Sequence, residues 1–173
     1  FDILELTGNY APSEYTAAIE EAGRARYDVL IIDSLSHAWR GAGGALDQVG
    51  SAGFTDRDGW RKVTPQHNRM VDAILQSPCH VIVTLRTKTE YVLEEHTNDR
   101  GKTVQVPRKI GMAPIQRDGM EYEFTLYGSF DHTHTLTITK SRCTAMQDVI
   151  AHKPGRTFMG PLLAWLSSGE ALS

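Results

Sequence analysis

The run Tyr27-Asp28-Val29-Leu30-Ile31-Ile32-Asp33 constrains the fold more than any other stretch of the chain. Its consecutive large aliphatics are too few for a buried helix and do not alternate as a half-wetted strand does. They predict a strand covered on both faces, the pattern of a parallel sheet. Upstream, Ile3 to Leu6 is short and apolar and predicts another strand. Between the two, Pro12 suits a first helical turn, and Tyr15, Ala18, Ile19 and Ala22 follow at helical spacing. Strand, helix and strand make a βαβ unit, hence a parallel sheet.

Downstream, Ser34 to Gly59 reads as a loop with a partly helical start. Thr64-Pro65 supplies an N-cap and first-turn pair for a helix with Met70, Val71, Ile74 and Leu75 on one stripe, and Ser77-Pro78 stops it. His80 to Leu85 is a third buried parallel strand, ending at Arg86. Tyr91 to Leu93 and Val104 to Val106 flank the polar turn Asn98-Asp99-Arg100-Gly101, so residues 87–118 form an inserted β-ribbon. Met120 to Leu126 and Thr135 to Lys140 alternate strictly and predict an antiparallel hairpin extending the sheet, with Gly128 to His134 turning between them. Pro161 to Leu166 is a short closing helix. The expected fold is α/β: a mostly parallel sheet flanked by helices, with an antiparallel hairpin at one edge, in a single domain spanning 1–173.

Composition narrows the function. Eighteen basic against 21 acidic residues, a net charge of -3, exclude a polybasic chain that binds nucleic acid by overall charge. No apolar run is long enough for a bilayer, and Phe1 to Leu6 is no signal peptide, so a soluble intracellular protein without a membrane partner is expected. Cys79 and Cys143 lack metal-ligand spacing and fit a reducing compartment. The chain opens without Met in a strand-like run, which suggests a fragment. His132 and His134 have no third ligand at a convincing interval, and His37, His67 and His80 read as helix, loop or core residues. Asp33-Ser34-Leu35 lacks the Gly-x-Ser-x-Gly elbow of a serine nucleophile.

The candidate chemistry begins at Asp33. In open α/β sheets ligands bind at the carboxyl ends of the strands, although a strand-end acid serves equally as a helix cap or structural group. Lys140 and Arg142, two apart at a strand end, can converge on one anion or stand as two solvated cations. Charge is uneven: residues 1 to 60 hold ten acids and four bases, whereas 86 to 117 hold seven bases and four acids. The basic stretch reads as a nucleic-acid contact or as a solvated ribbon.

Asp28 to Leu35 resembles the Walker B strand of RecA-like P-loop ATPases, where the metal-associated Asp is likewise followed by Ser. With Tyr27 to Trp39, His80 to Tyr91, Gly111 to Phe124 and Lys140-Ser141-Arg142 in order, the chain is similar to RecA-like ATP-binding proteins of bacteriophages and prophages, some of the single-strand annealing type. The resemblance implies an ATPase using ATP and Mg2+, forming a ring or filament of identical subunits in the bacterial cytoplasm, and binding single-stranded DNA in recombination. It places Asp33 at the metal with Ser34 beside it, and Thr84 and Arg86 as γ-phosphate sensors. Lys140 and Arg142 would act in trans on a neighbour's phosphate. Lys88, Arg100, Lys102, Arg108 and Lys109 fall where such proteins hold DNA. The pattern lacks one part. Gly101-Lys102-Thr103 is a decoy for the phosphate loop, since His96 stands in place of the first glycine and no helix follows. By resemblance the Walker A segment is expected upstream of Phe1. The rival expectations are a non-catalytic assembly module and a replicative-helicase-like motor.

Overall fold

A computed structural model describes residues 1–51, 56–97 and 103–169, at 56, 90–97 and 103–111 by the backbone alone. The chain divides into two compact units, Phe1–Arg117 and Asp118–Ser173.

In the first unit, helix α1 (Pro12–Arg24) has Pro12 in its first turn and buries Tyr15, Ile19 and Ala22, the stripe expected from the sequence. Strand β1 (Val29–Ile32) pairs in parallel with β2 (His80–Val83), Val29 opposite His80 and Ile32 opposite Val83. Helices α2 (Ser36–Arg40), α3 (Ala45–Ser51) and α4 (Asp56–Gln76) fill the crossover. Helix α4 packs against α1 and α3 through Val63, His67, Met70 and Ile74, spaced four, three and four residues apart on its buried face. Ala45, Val49 and Val63 form a cluster closed by Trp39 and Trp60, whose rings lie 5.6 Å apart.

The parallel sheet has two strands, so it is not the mostly parallel sheet expected; the other sheets are antiparallel. Nor is β1 covered on both faces: Ile32 is buried, while Ile31 is 65% exposed, with Val29 and Ile82 also open to solvent. An aliphatic run reports how much surface a strand can bury, not how much cover it meets. Ile3 to Leu6 forms no strand, because apolar composition without a ladder partner does not make one. The helical start expected after Ser34 is α2, whereas the segment read as a loop beyond it carries α3. Thr64-Pro65 does not start α4, which already runs from Asp56. Pro65 is exposed inside it, where water can satisfy the carbonyl one turn back that Pro cannot reach.

Strands β3 (Thr87–Thr97) and β4 (Thr103–Pro114) form the antiparallel ribbon, with an irregular register between Glu90 and Tyr91. The expected turn at 98–101 lies outside the described residues. The Ile115 amide donates to the Arg86 carbonyl at 2.7 Å and closes the ribbon at its root.

In the second unit, β5 (Leu126–Phe130), β6 (Thr135–Ser141) and β7 (Ile150–His152) form a separate antiparallel sheet in that order. The hairpin therefore does not extend the parallel sheet as expected. It also starts later. Met120–Tyr122 is a 3-10 turn entered through Gly119 at φ +84°, so the alternation from Met120 to Thr125 is not a strand. Gly128 sits at the irregularity in the β5–β6 register, where a Cβ would lie 2.8 Å from Ile138 Cδ1. Asp131 Oδ1 accepts from the Thr133 and Thr135 amides and shapes the turn. Helix α5 (Gly160–Leu166) covers Cys143 and Met146 with Leu162.

Met70 is fully buried and Asp72 is exposed on the same helix. Met70→Ala is expected to cost about 2–5 kcal/mol by urea denaturation, and Asp72→Ala about 0.5 kcal/mol or less. Equal losses would contradict the assigned helix face.

Candidate functional site

The parallel ladder continues past the ends of its two strands. The Thr84 amide donates to Ile32 O at 3.0 Å, and the Leu35 amide returns a bond to Thr84 O at 3.1 Å. This register sets Thr84 beside Asp33, and Thr84 Oγ1 donates to Asp33 Oδ1 at 2.6 Å. Asp33 is exposed. It does not cap α2, whose N-cap position is Leu35 with no side-chain cap bond. Of the alternatives left open by the sequence, the helix cap is thus removed.

Ser34 is buried behind it. Its hydroxyl lies 3.3 Å from His37 Nδ1, and its carbonyl accepts from Tyr15 Oη at 3.3 Å. Burial, with a smaller contribution from Tyr10, pushes the Tyr15 hydroxyl up to about 12, so it stays a donor throughout the physiological range. Tyr10 stacks on His37 at 4.9 Å. Arg86 donates its amide to Ser36 Oγ at 2.9 Å, while its exposed guanidinium has no ion-pair partner among the described residues. The structure thus brings Asp33, Ser34, Thr84 and Arg86 to one strand mouth, with the Ser34 hydroxyl turned towards His37.

In the second unit, Lys140 and Arg142 do converge, but on their own chain. Lys140 Nζ donates to the carbonyls of Tyr122 (3.2 Å) and Phe124, and Arg142 Nη2 to those of Tyr122 and Glu123 at 3.3 and 3.4 Å. Desolvation, then the adjacent Arg142 charge, lowers the Lys140 ammonium below its ordinary range, with Glu123 opposing. Of the expected DNA-contacting residues, Lys88 is exposed on β3 and Arg108 and Lys109 lie on β4. Arg100 and Lys102 lie outside the described residues.

A family model described as an AAA domain matches residues 3–160. The chain belongs to this AAA family of P-loop ATPases. The match runs across both units. No curated protein and no solved structure matches the chain. The family binds ATP with Mg2+. In this AAA domain, Asp33 suits the water shell of a magnesium ion: it is solvent-facing, oriented by one hydroxyl, and its Oδ2 has no protein partner among the described residues. Among those residues no group of three His, Cys, Asp or Glu side chains could hold a metal directly. No Gly-x-x-x-x-Gly-Lys-Ser/Thr occurs in the 173 residues, so they provide no phosphate loop. Among the described residues, no helix is long and apolar enough to cross a membrane.

Sequence reasoning missed the buried polar group beneath this mouth. Gln116, 5% exposed, donates from Nε2 to Leu35 O at 3.1 Å, and its Oε1 lies 3.0 Å from His67 Nε2. Trp39 packs edge-on against the His67 ring at 5.4 Å. A histidine in the apolar stripe Val63, Met70, Ile74 was a legible signal for a buried polar partner; its partner, far along the chain, was not.

Burial first, then the nearby Arg117 charge, lowers the His67 ring below its usual value, against the opposing hydrogen bond that its Nε2 donates to Gln116. The folded state therefore binds fewer protons than the unfolded state as pH falls. This contribution is fully present above about 6.5 and is lost as pH drops from there towards the lower folded value. Urea titrations between pH 7.5 and 5 should show a His67-dependent slope of at most about 1.4 kcal/mol per pH unit, absent in His67→Gln. An identical slope in the variant would contradict this assignment.

Proposed function

We propose that this AAA domain serves a magnesium-dependent, RecA-like ATPase that assembles from identical subunits with ATP between them and acts on single-stranded DNA in phage-type recombination. The observation that carries the reading is Asp33 at the open carboxyl end of β1, held by Thr84 from the neighbouring parallel strand. Ligands bind at strand ends of this kind, and the AAA family supplies the nucleotide. Asp33 would accept hydrogen bonds from magnesium-bound water, with Thr84 fixing the carboxylate. Arg86, without an ion-pair partner among the described residues, would face the terminal phosphate from the same mouth. Magnesium, when bound, would neutralise charge developing on the transferred phosphoryl group.

Lys140 and Arg142 would act in trans. To reach a neighbour's phosphate they must exchange the carbonyls of residues 122–124 for phosphate oxygens, neutral acceptors for charged ones, which favours the exchange when nucleotide is present. The ribbon would hold the DNA through Lys88, Arg100, Lys102, Arg108 and Lys109.

In the natural protein carrying this domain, ATP hydrolysis is expected to require Mg2+, and Asp33→Asn to lower kcat by about 10²-fold or more. Magnesium-independent hydrolysis, or unchanged kcat in the variant, would overturn the reading. For DNA, Arg108→Ala with Lys109→Ala is expected to flatten the plot of log K against log salt by about 1.4, roughly 0.7 per lost phosphate contact. An unchanged slope would remove these two residues from the DNA site.

A further inference from the structure

Beneath the strand mouth, two backbone groups and one histidine ring meet the side chain of Gln116. Gln116 Nε2 donates to Leu35 O at 3.1 Å, and Gln116 Oε1 accepts from the Arg117 amide at 2.9 Å and faces His67 Nε2 at 3.0 Å. Leu35 O can only accept, so it fixes which end of the amide is nitrogen. The other end is then an acceptor, and His67 must carry its proton on Nε2. The residue needs both an acceptor and a donor end at this depth. A carboxylate cannot serve Leu35, and an apolar side chain would leave the buried His67 Nε2–H unpaired and the Leu35 carbonyl held, among the described residues, by the Ala38 amide alone at 3.1 Å.

The same two residues after the Asp33-Ser34 pair are held from other sides. Leu35 N–H donates to Thr84 O, and Ser36 Oγ accepts from Arg86 N–H. Both roots of the ribbon take part, since Ile115 N–H donates to Arg86 O directly before Gln116. We propose that Gln116 is a positioning residue for the Asp33 site: its amide, seated against His67, joins the Ala38 amide in holding the Leu35 carbonyl and sets the path of the chain leaving Asp33. The word site here rests on the functional reading above; the hydrogen-bonded arrangement does not.

The arrangement is sensitive to protons. His67 is 2% exposed and its Nδ1 has no hydrogen-bond partner among the described residues. Its own helix α4 carries the ring, α2 faces it with the apolar edge of Trp39, and the segment after β4 faces it with Gln116 and Arg117. The Arg117 guanidinium, held by Asn68 Oδ1 at 2.9 Å, is the charge acting on the ring, and no carboxylate of α1, α2 or α3 among the described residues offsets it. A proton on Nδ1 is therefore buried, unpaired and repelled, a cost relieved when the ring leaves this pocket and takes its Nε2–H away from Gln116.

Amide hydrogen exchange followed by NMR tests this on the protein without nucleotide. The reporters are Leu35 and Arg86, at the mouth, and His80, which bonds to Asp28 O at the opposite end of the same strand pair. Gln116→Ala is expected to speed exchange at Leu35 and Arg86 about tenfold while His80 stays at the wild-type rate. In the wild type, lowering pH from 7.5 to 5.5 should produce the same selective loss after correction for intrinsic exchange. His67→Gln, which keeps a donor at the Nε2 position, should retain slow exchange and abolish the pH effect. Unchanged Leu35 and Arg86 rates overturn the proposal, as does a uniform rise at all three amides. If Gln116→Ala does not fold, the wild-type pH series and His67→Gln decide the matter. Absence of Mg-ATP binding by the natural protein would overturn the functional reading and leave these rates untouched.

Discussion

The parallel register of β1 with β2 is the constraint on which the rest of the first unit depends. Strands of four residues offer little ladder of their own, so the bonds beyond their ends matter. Thr84 N–H to Ile32 O and Leu35 N–H to Thr84 O carry the pairing two residues further and bring Thr84 Oγ1 to Asp33. A one-residue slip would turn Asp33 and Thr84 to opposite faces and undo the site together with the burial of Ile32. The mouth is also where the crossover helices begin and the ribbon leaves. Backbone geometry, side-chain hydrogen bonds and a buried glutamine therefore all bear on one short segment, residues 33–36.

Much of this was legible in the sequence because it was local. The aliphatic run ending in Asp33, the stripe of α1 and the strand ending near Arg86 all declare themselves within a few residues. The family resemblance drawn from these runs agrees with the AAA domain match over residues 3–160 at the level of a P-loop ATPase. What failed was cover and partnership. Nothing in Val29-Leu30-Ile31-Ile32 states how many strands flank it, and nothing in Ile3 to Leu6 states that it lacks a ladder. Pro65 misled for a different reason: a proline favours a first turn, where its missing N–H costs nothing, but a long helix with a buried face can carry one in its interior at a cost that packing outweighs. Gln116 was invisible because its function depends on Leu35, 81 positions earlier.

The second unit shows a related ambiguity. The spacing of Lys140 and Arg142 correctly brings two cations to one place, yet spacing does not name the acceptor. Here it is a run of backbone carbonyls, 122–124, presented by the turn that replaced the expected strand. Desolvation, then repulsion by the adjacent Arg142 charge, disfavours the Lys140 ammonium, and the carbonyls supply the acceptors that offset this cost. Hydrogen bonds from cations to neutral carbonyls are weaker than those to phosphate, so the direction of such an exchange follows from elementary electrostatics.

The most direct measurement of the central claim is paramagnetic broadening of the natural protein's amide resonances by Mn2+-ATP. Signals of Asp33, Ser34 and Thr84 are expected to broaden first, ahead of those in β7 such as His152, and to recover when excess Mg2+-ATP displaces the manganese. Broadening that spares the strand mouth, or that is centred elsewhere, would contradict it.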